Sequence, residues 1–108
     1  MTVSPAQHPD FCTTIGKKGK TVEPVTDIKH HYQVVDEVTH VQSDNVGKVI
    51  ILQKIQFDDG KMELRLGYYI IGKKPKMEGR WVGGQYATFT PVLDFQQIIA
   101  KAQAKGWL

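Results

Sequence analysis

Residues with the chemistry of a reaction centre are dispersed along this chain. The nucleophile candidates are Cys12, Ser4 and Ser43. Cys12 and Ser4 fall in a Pro- and Gly-bearing lead-in, Ser43 falls in a turn, and none stands in a local signature such as Gly-x-Ser-x-Gly. Asp58 and Asp59 could pair as acid and base, but beside Gly60 they are explained by turn chemistry. His30, His31, Asp36, Glu37 and His40 are ligand types at high density. Adjacent side chains of a strand point to opposite faces, which leaves Asp36 and His40 as the convergent pair, too few for a tetrahedral metal site. The run GKKGKT at 16–21 ends as a phosphate-binding loop does. Thr14 nevertheless stands where the first glycine belongs, and no apolar strand leads into it. No catalytic group, metal ligand or cofactor is assigned.

What does gather is positive charge beside aromatic rings. Lys54, Arg65, Tyr69, Lys73, Lys74, Lys76, Arg80 and Trp81 fall within one stretch of the chain. Cations that hold phosphates and rings that stack on bases are what a single strand of nucleic acid requires. These eight residues are the candidate binding set, for single-stranded DNA or RNA. The alternative is an interaction module whose outer sheet face meets a protein partner or a second copy of the chain.

Positioning these residues falls to a single α+β domain over residues 29–108, behind a flexible basic arm at 1–28 that contains Pro5, Pro9, Pro24, Gly16 and Gly19. β-branched residues at 31–41 predict a first strand. Ser43, Asp44, Asn45 and Gly47 form a turn. Runs of alternating residues at 48–57 and 61–71 flank Asp59-Gly60, a strong hairpin signal. With Asp59 and Gly60 at the centre of a type I′ turn, Ile55 faces Leu64, Gln53 faces Leu66 and Ile51 faces Tyr68, an almost wholly apolar side. On the other side Lys54 then faces Arg65, a like-charge pair that an anion would relieve. Lys48 extends that side. A basic loop at 72–79 leads to a strand at 80–90, in which Gly83 and Gly84 suggest a bulge or a close backbone approach.

The period then changes. Val92, Leu93, Phe95, Ile98, Ile99 and Ala102 recur at helical spacing, with Thr90 as N-cap, Pro91 at the first helical position and Gly106 as the stop, after which Trp107 folds back. The expected architecture is an antiparallel sheet of about four strands. One C-terminal amphipathic helix packs on one face, with Phe95, Ile98, Ile99 and Ala102 meeting Ile51, Ile55, Leu64 and Leu66.

The layout, with FDDGKMELR at 57–65 and TFTPVLDF at 88–95, resembles the single-stranded DNA-binding coactivators of the positive-cofactor-four and Whirly kind. That resemblance implies a curved sheet presented to the strand and dimerisation through helices. The long loop after Ile71 and the paired glycines depart from the pattern. The resemblance transfers no individual residue role.

The totals agree with an ordinary globular domain: 108 residues, 41% hydrophobic, and 14 Lys plus Arg against 11 Asp plus Glu for a net charge of +3. This surplus is small for a dedicated strand binder. The longest apolar run, at 49–52, is far short of the roughly 20 residues of a membrane span. The first residues lack the pattern of a signal peptide, and a single cysteine excludes an internal disulfide. A reducing, cytoplasmic setting is expected.

Overall fold

The computed structural model describes residues 11–72, 79–84 and 87–108. Lys73, Lys74 and Lys76 of the candidate set lie outside the described residues. The elements are β1 (Lys18–Val22), β2 (Lys29–Gln42), β3 (Asn45–Phe57), β4 (Met62–Ile71), β5 (Trp81–Gly83) and α1 (Val92–Ala104). The five strands form one antiparallel sheet in chain order. The α+β architecture is as expected, with one strand more. The addition is β1, at a place where the sequence suggests an irregular arm. Only Gly19 in that short strand leaves room for the Tyr32 ring, which lies across its backbone.

The β3–β4 hairpin corrects the expected register by one residue. Asp58, Asp59 and Gly60 form a three-residue loop in which the Gly60 amide donates to the Phe57 carbonyl and the Phe57 amide to the Lys61 carbonyl. Gly60 has φ 89°, whereas Asp59 stays out of the left-handed region that a type I′ turn demands of both central residues. Its carboxylate instead accepts the Lys61 amide at 2.9 Å. Lys54 consequently pairs with Leu64, and Arg65 with Gln53. The facing Lys54–Arg65 pair does not exist.

One-sided burial would fix a strand register, but it does not discriminate here because β3 is buried on both sides. Ile50 and Leu52 are buried on one side, and Ile51, Gln53 and Ile55 on the other. Met62, Leu64, Leu66, Tyr68 and Ile70 share a side with Leu52. Lys61, Glu63, Arg65, Gly67 and Tyr69 share the opposite, outer side with Gln53.

Helix α1 packs on the Leu52 side. Its buried Ile98 and Ala102 meet Val38 and Leu52, with Ile99 and Trp107 at the margin. Ile51 and Ile55 lie on the other side of the sheet, and Leu64 and Leu66 remain exposed, so the expected partners of the helix are corrected to Val38 and Leu52. The helix starts one residue later than the sequence suggests: Pro91 occupies the N-cap with extended backbone and no side-chain cap. Its end is as expected. Gly106 at φ 78° sends its amide to the Gln103 carbonyl and Trp107 to the Ala102 carbonyl, the paired bonds of a Schellman motif.

Candidate nucleic-acid interface

Three of the eight candidate residues come together on the outer side of the sheet. Arg65 and Tyr69 are four residues apart on β4 and therefore point the same way, with Gly67 between them. A Cβ at position 67 would stand 3.4 Å from the Arg65 guanidinium, so the glycine gives that group room. Trp81 pairs with Ile71 and lies on the same side on β5. The glycines after it let that strand close on β4: the Tyr69 ring lies beside Gly83, and the Tyr68 ring occupies the space a Cβ of Gly84 would need. Close approach, one of the two expected roles of this pair, is what they perform. Arg80 precedes Trp81 and is exposed.

Lys54 is not part of this surface. It projects to the helix side, where with Lys105 it favours the charged form of Asp36. The Lys105 hydrogen bond at 2.7 Å is the main reason that the Asp36 carboxyl titrates below its ordinary value of 3.8. Lys48 is also withdrawn. It is buried, donates to the Phe89 carbonyl at 3.0 Å and stands 5.1 Å from the centre of the Tyr68 ring.

The segment that precedes β1 occupies the outer side. Residues 11–17 leave β1 and cross the sheet above β2 and β3 to reach β4. Thr14 is 1% exposed, and its amide and hydroxyl both donate to Glu37 Oε1, at 2.6 and 2.7 Å. Gln53 Nε2 donates to the Thr14 hydroxyl at 2.9 Å, and Arg65 Nη1 donates to Gln53 Oε1 at 3.1 Å. Glu37, Gln53 and Arg65 form one cross-strand row, so a continuous polar chain runs between the buried Ile51 and Ile55 of the outer side. Beyond it, the Phe11 ring meets Tyr69 edge-on at 4.9 Å and Trp81 at 5.6 Å. Gln53 carries the one legible signal of this arrangement. A polar side chain among Val49, Ile51 and Ile55 needs a buried partner.

Asp36 and His40 do point to one side, but both are committed to the helix. His40 Nε2 lies 2.8 Å from Asp94 Oδ1, while the Ser43 amide and hydroxyl donate to Asp94 Oδ2 at 3.1 and 2.9 Å. Burial raises the Asp94 pKa, and the hydrogen bonds from His40 and Ser43 outweigh it, leaving the carboxyl below its ordinary value. Ser43 donates to the aspartate rather than to the histidine, so the trio ties α1 to the β2–β3 turn and does not activate a nucleophile. No cluster of three or more metal-ligating side chains occurs among the described residues. Two shallow grooves of about 330 and 410 Å³ flank the β3–β4 turn, and Lys29 and Lys61 in the first stand with Asp58, Asp59 and Glu63. Mixed charge there gives no preference for an anion.

No helix among the described residues is long and apolar enough to cross a membrane. Comparison of the chain with family models, characterised proteins and solved structures finds no match.

Proposed function

We propose that this is a non-catalytic binding domain that takes single-stranded DNA or RNA on the outer side of β4 and β5. The observation that carries the reading is the arrangement of Tyr69 and Trp81 on neighbouring strands, close enough for one ring, that of Phe11, to touch both. A base has the same flat apolar face as that ring and would stack there. Arg65 on β4 and Arg80 before β5 supply cations for the flanking phosphates. Glu63 is paired with Lys61 at 3.1 Å, which reduces its repulsion of a phosphate. The layout resembling the positive-cofactor-four and Whirly coactivators agrees with this use, and a cytoplasmic setting belongs to the same proposal.

The test is fluorescence anisotropy with labelled single- and double-stranded oligonucleotides at two salt concentrations. Single strands should bind more tightly. Replacing Arg65 and Arg80 by alanine should make the salt dependence shallower by about 1.4 in slope, at ~0.7 per lost contact. A slope identical to that of the unmodified protein would remove these arginines from the interface.

A second reading, homodimerisation, is favoured by a different surface. Met62, Leu64, Leu66 and Ile70 stand in a row on the helix side of β4 and are 47%, 39%, 50% and 39% exposed. Lys101 and Lys105 bind Thr39 and Asp36 of β2, and the opposite flank of the helix carries exposed Phe95. An exposed apolar row of this kind is suited to an interaction site, and a second copy presenting the same row would cover it. Sedimentation over a hundredfold range of concentration would detect the dimer, and an invariant monomer would exclude it.

A further inference from the structure

On the footing of the nucleic-acid reading, we propose that residues 11–17 are an autoinhibitory strap whose Phe11 ring holds the stacking place at Tyr69 and Trp81 until a base displaces it. The strap has an anchor and a tip with different chemistry. At the anchor, Thr14 is buried and held by Glu37 and Gln53, the former through charge-assisted hydrogen bonds. Gly16, at φ 93°, makes the turn that brings the chain off β1, with the Lys17 amide donating to the Thr14 carbonyl. At the tip, Phe11 meets Tyr69 and Trp81 through edge-to-face ring contacts.

Separation of these two parts allows the tip to yield while the anchor holds. A base entering the site replaces one ring by another and adds phosphate contacts with Arg65 and Arg80. Phe11, tethered three residues from Thr14, remains close by and competes as an intramolecular ligand. Binding is thereby weakened by the stability of the Phe11 contacts, about 2- to 10-fold for a ring pair of this geometry. The strap also raises the threshold for weakly stacking ligands, because only a ring with accompanying phosphates recovers what Phe11 gives up.

The experiment measures anisotropy of a fluorescein-labelled 12-nucleotide oligothymidylate with the full chain and its variants. Phe11→Ala removes the tip and leaves the anchor, and should bind about 2- to 10-fold more tightly than the unmodified protein. Phe11→Trp offers a larger competing ring and should bind more weakly. Thermal unfolding verifies that the variants fold, and Phe11→Leu, which keeps apolar volume without a ring, replaces Phe11→Ala if that variant is unfolded. Binding by Phe11→Ala alone, with none by the unmodified protein, would also support the strap. Equal or weaker binding by Phe11→Ala, together with loss of binding in the Tyr69→Ala, Trp81→Ala double variant, would overturn the strap and leave the binding surface intact. Absence of binding by every form would remove both.

Discussion

Strands β3 and β4 are hydrogen-bonded neighbours of similar apolar content, yet they have opposite fates. β3 is buried from Lys48 through Gln53 and again at Ile55, whereas no residue of β4 is fully buried. The difference lies in what covers each of them. β3 has α1 above one side and the 11–17 strap above the other, while β4 lies beyond the main reach of both. Burial is thus conferred by the 11–17 strap and by α1, and β4, which they leave mostly uncovered, stays exposed or half-buried along its length. Its outer side carries Arg65 and Tyr69, and its helix side carries the apolar row.

The largest effects should come from uncovering β3. Ile98→Ala removes a fully buried side chain between α1 and Leu52 and should lower stability by about 2–5 kcal/mol, measured by urea denaturation. Thr14→Val keeps the shape of the strap anchor but leaves Gln53 and Glu37 without the hydroxyl they share. A loss of about 1–3 kcal/mol is expected, and none if the strap is merely laid on the surface.

Acid should loosen the same half of the sheet. The native pKa values of Asp36 and Asp94 are depressed, so their contribution to stability is fully present well above 3.8 and is lost as the pH falls below it. Asp94→Asn should flatten the acid limb of the stability profile. The smallest effect is expected on β4. Leu64→Ser should change monomer stability by about 1 kcal/mol or less at low protein concentration. A larger loss that grows with concentration would instead identify the row as a subunit interface.

How much of this was legible in the sequence follows from how locally each feature is determined. The helix, its Gly106 stop and the return of Trp107 depend on neighbours within a few residues and emerged nearly intact. The hairpin was visible at Asp58, Asp59 and Gly60, but its register depended on one φ angle at Asp59, to which Asp-Gly is a poor guide because three-residue loops also end in glycine. A hydrophobic pattern selects a register only in a sheet with one buried side. This sheet has two, because residues 11–17, which look like an irregular lead-in, pack across the outer face. Arg65, Tyr69 and Trp81 stayed on that face despite the slip, because their common orientation depends on strand parity and pairing with β5. Lys54 lost its place because its position relative to Arg65 depended on the turn alone.

The central claim, that a single strand of nucleic acid lies on the outer side of β4 and β5, is tested most directly by side-chain NMR during titration with a 12-nucleotide oligothymidylate. The Trp81 indole and the Tyr69 and Phe11 ring signals should move together and saturate at one equivalent, while the Leu64 and Leu66 methyl signals stay in place. Shifts confined to the leucine methyls, or no shift at the Trp81 indole at saturation, would contradict it.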